Sequence, residues 1–421
     1  MRHIKTLENG LKIVSYEMPH MNSVSVGIWI GAGGRYETPA LSGISHFIEH
    51  LVFKGTEKRS GKEITEAIEG IGGALNAFTG EEYTCYYARV LAEHFAHTFD
   101  VLWDMASNVT FSDEHIEKEK PVIKEEIMMY VDLPAQYVHD ILSEVLWPGQ
   151  PLGKMLIGTV DTVDAVTNRQ LVEYKERLYT LSNIVVSVAG NIKHDSVVET
   201  ICQCLSTTCS HYPVPVSDAV IEKQSAPEIK LLSKDTEQSH IAMGIRAYSR
   251  THPDRYILKV LNTVLGENMS SRLFQEVREK HGLAYSIHSS VERFIDTGAV
   301  VISAGTDPKS TEKTIKIILS VLKNLKTELV PKEELDRAKQ YTIGQLSLGL
   351  EKTMNIMMWL GETLLTQKQV QSIDEILEQI TKVSAEDLLR VSNALFTNER
   401  LNMSIISPLK NESRLRSIFH F

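Results

Sequence analysis

The sequence predicts an α+β chain of two homologous α/β domains, each an antiparallel-rich sheet packed with helices, related by internal duplication. Three observations carry this. The chain has 421 residues and is 43% hydrophobic, enough for two or three domains. Its strand and helix patterns run through one order twice. Two short matches then tie the copies together: Phe111-Ser-Asp-Glu-His-Ile-Glu with Val330-Pro-Lys-Glu-Glu-Leu-Asp, and Val166-Thr-Asn-Arg-Gln-Leu-Val with Val383-Ser-Ala-Glu-Asp-Leu-Leu. They keep their order at offsets of 219 and 217, the mark of a repeated unit.

Taken in order, Asn9-Gly10 reads as the turn of a hairpin, and alternation over residues 11–30 predicts strands. A helix follows around residues 42–56. A second opens at Ser60, with Glu63 completing a capping box. After Gly72-Gly73, Ala74–Thr79 and a run from Tyr83 read as two antiparallel strands. Helical periodicity covers about 92–109, 113–130, 135–147 and 167–178, then a strand at 183–190 and a helix from Asp195 end the first copy. The second copy begins with a strand at His240 and continues with two helices, two strands and long helices. The polar, Pro-bearing stretch from Ser206 reads as a linker, placing domains at 1–205 and 230–421 with 206–229 between them.

The formal net charge is -10, which argues against nucleic acid as a partner. No apolar run approaches a membrane span, and the N-terminus shows neither a signal core nor a transit segment, so a cytoplasmic protein is expected. Cys202, Cys204 and Cys209 lack metal-ligand spacing and read as free thiols.

The chemistry concentrates in Ser42–Thr56. On a helix, Ile44, Phe47, Ile48 and Leu51 form one apolar stripe, while His46, Glu49, His50 and Phe53 share the opposite face. Two histidines at i and i+4 point the same way and can share a zinc ion, with Glu49 placed to take a proton from water. This is the inverted H-x-x-E-H order. The same five residues also fit a helix with two ordinary hydrogen-bonded histidines. The repeat separates the readings. Glu119 and Glu126, seven apart on one helix, have Ala338 and Gln345 at the offset of 219, and the second copy holds no H-x-x-E-H. Acids and histidines occur together in one copy and are absent together from the other, as one metal site in the first domain requires. Taken alone, the segment around Glu119–Glu126 reads first as a salt-bridged surface helix, and Glu125 is a rival to Glu126.

Four motifs in order resemble the pitrilysin, insulysin and mitochondrial processing peptidase family: His46–Thr56, Gly72–Thr79, Glu119–Glu126 and Ser270–Tyr285. The likeness covers essentially the whole chain and points to the short, two-domain, half-clamshell branch. It implies one zinc per chain on His46, His50 and Glu126, with Glu49 as general base and Glu119 orienting a ligand. It also implies that Phe53 lines the pocket for the residue after the scissile bond, and that Asn76, Ala77 and Phe78 form an edge strand pairing with an extended peptide. Arg278 and Tyr285 would anchor substrate carbonyls. Where the processing enzymes place two acids for a substrate arginine, this chain has Gln136 and Asp140, which leaves one acid for substrate binding and puts arginine selectivity in question. Pro121 is expected to kink the helix between Glu119 and Glu126.

The expectation is therefore a zinc endopeptidase acting on unfolded peptides, working as a homodimer. Its rivals are a catalytically inactive scaffold like the core proteins of respiratory complexes and a metal-free peptide-binding chaperone.

Overall fold

The structure, a computed structural model, describes residues 2–205 and 214–421. Cys209 and residues 206–213 of the expected linker lie outside them; Cys202 and Cys204 are free thiols, as is buried Cys85.

The first sheet grows around Ser23–Ile30 (β3), whose eight residues are all buried. With Arg2–Thr6 (β1), Lys12–Glu17 (β2), Ala74–Thr79 (β4), Thr84–Leu91 (β5) and Ile184–Gly190 (β6), it forms a six-stranded sheet in the order β1-β2-β6-β3-β5-β4. β2 and β6 run parallel, and every other pair is antiparallel. The expected hairpin is β1–β2, turning at Gly10 with φ 89°, where a side chain is disfavoured.

The second sheet contains Glu228–Ser233 (β7), Ser239–Ala247 (β8), Ala284–Arg293 (β9), Gly298–Thr306 (β10) and Leu401–Ser407 (β11), in the order β7-β11-β8-β10-β9. Only its first and last strands in sequence, β7 and β11, are parallel. Without β1, the first sheet has this same order and sense, so the duplication seen in short sequence matches extends to strand topology. β7 starts at Glu228, inside the stretch read as linker.

The chain divides into two compact units that are not the contiguous segments 1–205 and 230–421. One comprises Met1–Met128, Met155–Asp218 and Leu348–Val370; the other comprises Met129–Lys154, Ala219–Ser347 and Gln371–Phe421. The cause lies in two amphipathic helices. Thr353–Gln367, late in the sequence, packs on β2, β3 and β6 of the first sheet, burying Ile356, Met357, Leu360 and Leu364 with Val14, Trp29 and Val185. Pro134–Leu146, early in the sequence, packs on β8 and β11, burying Val138, Ile141, Leu142 and Leu146 with Ala242, Val301 and Ile406. Apolar stripes decide where each helix settles, and chain order does not. Among the described residues no helix is long and apolar enough to cross a membrane.

Candidate metal centre

The helix Ile44–Val52 carries the motif, and Ile44, Phe47, Ile48 and Leu51 are fully buried as its spacing predicts. Its N-terminus has no side-chain cap of its own. Glu37, buried, instead accepts from the backbone N–H of Gly43 at 2.7 Å and of Ser45 at 2.9 Å, stabilised there by the helix dipole. Gly43 has φ 91°, and a Cβ there would lie 2.6 Å from the Ile157 carbonyl oxygen. Only glycine fits this start.

From the helix Asp113–Val131, Glu119 and Glu126 reach the motif. Pro121 lies inside this helix, and the helix runs through it unbroken. Nε2 of His50 lies 3.3 Å, and Nε2 of His46 3.7 Å, from one oxygen of Glu126. One ligand atom from each of these residues lies within 4.8 Å of the others. Glu125 is exposed on the same helix and is not part of this group.

Two imidazole nitrogens and a carboxylate oxygen are all lone-pair donors, so their convergence requires a proton or a cation among them. A tetrahedral zinc with ligands at about 2.0–2.1 Å sets those atoms about 3.3–3.4 Å apart; Glu126 stands 3.3 and 3.7 Å from the two imidazoles, and the whole set lies within 4.8 Å. His50 is poised to be such a ligand. Its Nδ1 donates to Glu119 at 2.8 Å, which fixes the tautomer and leaves Nε2 facing Glu126. The residues present fit zinc.

The electrostatics agree. Burial, helped by the neighbouring His50, pulls the pKa of His46 down to about 4, against the pull of Glu126, so its ring is neutral at pH 7. Burial would lower His50 too, but hydrogen bonds to Glu119 and Glu126 outweigh it and raise its pKa to about 9. A proton on His50 thus holds the place of a cation. Glu119 keeps its charge despite burial because His50 and Lys54 both bond to it, and Glu126 is held below the usual carboxylate range by His50. Glu49 goes the other way: burial raises it, although the Thr79 hydroxyl opposes the rise.

Two residues here escaped the sequence reading. Lys54 donates to Glu119 Oε2 at 2.7 Å, and Thr79 donates to Glu49 at 2.5 Å. Lys54 stands four residues after His50, so i+4 spacing was a usable signal; Thr79 gave none, because strand and helix meet only in the fold.

The remaining expected site residues fall in two places. Phe53 caps the motif helix and is half-buried. Asn76, Ala77 and Phe78 lie on β4, the edge of the first sheet, with Asn76 exposed and Phe78 packed edge-on to Trp29. The second unit holds Arg278, Tyr285 and Asp140. The Arg278 guanidinium lies over the rings of Phe274 and Tyr285, 4.7 and 5.1 Å from their centres, and Tyr285 is 82% exposed on β9. Asp140 is half-buried on Pro134–Leu146, and Gln136 is exposed.

Residues 12–160 match the sequence profile described as Insulinase (Peptidase family M16), and residues 165–342 match Peptidase M16 inactive domain. A Bacillus subtilis protein named Uncharacterized zinc protease YmxG is 40% identical over 407 residues, covering 96% of this chain and 98% of its own. The chain belongs to peptidase family M16. A Streptomyces coelicolor relative, also named an uncharacterized zinc protease, is 37% identical over 98% of this chain and 90% of its own. The M16 fold is shared with a Helicobacter pylori protease, with a TM-score of 0.91 at 22% identity over 97% of this chain and 99% of that one. It is shared too with the peptidase M16 inactive domain from Pseudomonas fluorescens, with a TM-score of 0.89 at 17% identity over 97% of this chain and 98% of that one.

Proposed function

We propose that this M16 chain is a zinc endopeptidase that hydrolyses extended, unfolded peptides. The observation that carries the reading is the convergence of His46, His50 and Glu126 on one point, with Glu119 behind His50. Bound by those three, one zinc per chain would supply a Lewis acid that polarises a carbonyl and acidifies water.

The chain's own groups supply the rest. Glu49, on the same helix face, accepts the proton of the attacking water as a C–O bond forms at the peptide carbonyl. It then delivers that proton to the amine nitrogen as the C–N bond breaks. Its raised pKa suits both directions of transfer. The free edge of β4, with Asn76, Ala77 and Phe78, pairs with the substrate backbone, so the substrate must be extended. Phe53 lines the pocket beyond the cut, Asp140 contacts substrate, and Arg278 with Tyr285 anchors substrate carbonyls. The working form is a cytoplasmic homodimer.

The rival is a catalytically inactive scaffold, favoured by the inactive-domain match. That match spans residues 165–342, outside His46, His50, Glu119 and Glu126. The test is hydrolysis of a quenched basic peptide by wild type and E49Q, with zinc counted on both. The reading expects zinc on both and a 10²–10⁴-fold lower rate for E49Q, where ~10²–10⁴ is the usual share of general-base help. A wild type with neither zinc nor turnover overturns it in favour of the scaffold.

A further inference from the structure

We propose that Lys54 is a positioning residue of the metal centre, acting on His50 through Glu119. The inference rests on the reading of His46, His50 and Glu126 as zinc ligands.

Glu119 has only 5% of its side chain exposed, and each of its oxygens meets one donor: Oε1 takes His50 Nδ1 at 2.8 Å, and Oε2 takes Lys54 Nζ at 2.7 Å. Lys54 is itself held by its backbone. Its N–H donates to Leu51 at 3.0 Å, closing the last turn of the motif helix, and its carbonyl accepts from Gly61 at 3.1 Å. The ammonium therefore leaves a fixed point and clamps the carboxylate from the side opposite His50.

A histidine that gives Nε2 to a metal needs a correctly turned acceptor at Nδ1. Lys54 holds Glu119 in that orientation. Without it, one oxygen of a buried carboxylate has no partner, an arrangement that is costly to keep. Glu119 is then free to rotate, and His50 loses its orienting bond.

Charge pulls the other way, since removing an ammonium near a cation favours the cation. The magnitudes decide. Lys54 is in direct contact with Glu119, but 38% of its side chain is exposed, so the high dielectric of water weakens its repulsion of a bound cation. Loss of position outweighs relief of repulsion.

The experiment is zinc affinity, by competition with a chelator, for wild type, K54M, K54R, K54Q, E119Q and E119Q/K54M. Metal-free melting is measured on each, and the visible spectrum of cobalt-loaded wild type and K54M is compared. Outer-layer partners of ligating histidines typically carry about 10–100-fold in metal affinity. The expectation is about tenfold weaker zinc in K54M, with a changed cobalt spectrum and a metal-free protein that still melts cooperatively, at a lower temperature. K54R should restore most of the affinity, and K54M should add no loss in the E119Q background. K54Q, which keeps a donor, serves if K54M fails to fold, and should fall between K54R and E119Q. Equal or tighter zinc in K54M overturns the inference, as does the same loss in both backgrounds. A wild type without zinc affinity overturns the ligand reading itself, a separate outcome.

Discussion

Thr79, the last residue of β4, donates its hydroxyl to a carboxylate oxygen of Glu49 at 2.5 Å. The strand whose free edge is proposed to hold the peptide thus also holds the proposed base. A hydrogen bond to a charged group is worth about 1.5–3 kcal/mol. T79V should therefore lower kcat by about tenfold or more while KM and zinc content stay near wild type, and T79S should recover most of the rate. Steady-state kinetics on the three proteins decide this; a T79V enzyme with wild-type kcat removes Thr79 from the machinery.

Glu125 and Glu126 are neighbours with unequal prospects. Glu126 stands 3.3 Å from His50 Nε2, whereas Glu125 is exposed. E126Q should weaken zinc by more than the ~100-fold upper range of outer-layer changes, since a ligand itself is lost. E125Q should bind like wild type. Chelator competition on the pair gives the answer, and equal losses would mean the wrong acid has been named.

Asp104 anchors the loop after the motif helix. It accepts from Thr56 Oγ1 at 2.7 Å, Arg59 Nη1 at 2.7 Å and Asn108 Nδ2 at 2.8 Å. Burial alone would raise its pKa, but these bonds hold it below the usual carboxylate value. The sign follows from that depression. The stabilisation is complete above the unfolded-state pKa of about 3.9 and is lost as pH falls through the lower folded-state value. D104N should cost about 1.5–3 kcal/mol at pH 7, the worth of a hydrogen bond to a charged group. The gap in melting between wild type and D104N should stay constant from pH 6 to 8 and close below pH 4. A gap that widens in acid would contradict the assignment.

Gly361 sits in the helix Thr353–Gln367, where an alanine would ordinarily help by about 0.8–1 kcal/mol. Here its Cβ would fall 2.0 Å from Nε1 of Trp29, a buried indole that donates to Ser187 at 2.8 Å. Overpacking of this kind costs about 1–3 kcal/mol, so G361A should lower the melting temperature. A raised melting temperature would show that the indole can move aside.

Much of this was legible in the chain because it is local. The stripe Ile44, Phe47, Ile48 and Leu51 and the face His46, Glu49 and His50 follow from helical spacing alone, and both survive in the fold. Glu126 was reachable through the repeat, since its partner is Gln345. What escaped is non-local. β7 pairs only with β11, Glu228 opposite Asn402, so nothing near Ile229 announces a strand. A helix was expected at 135–147, and long helices without stated bounds late in the second copy, but an apolar stripe does not say which sheet it will cover. Pro121 lies inside the helix carrying Glu119 and Glu126, and both acids reach His50 from that one continuous helix. The helix continues past the backbone bond that Pro121 removes, with Ile116, Ile123 and Ile127 buried along it.

The placement of Thr353–Gln367 with the first sheet bears on anyone who would shorten this chain. A fragment stopping at residue 205 keeps His46, His50 and Glu126, yet it leaves Val14, Trp29 and Val185 bare to solvent and carries Pro134–Leu146 with nothing to cover. Such a piece would hold every metal ligand and still be a poor reagent, prone to clump before it could be assayed. The smallest portion with a finished first core must extend through Val370.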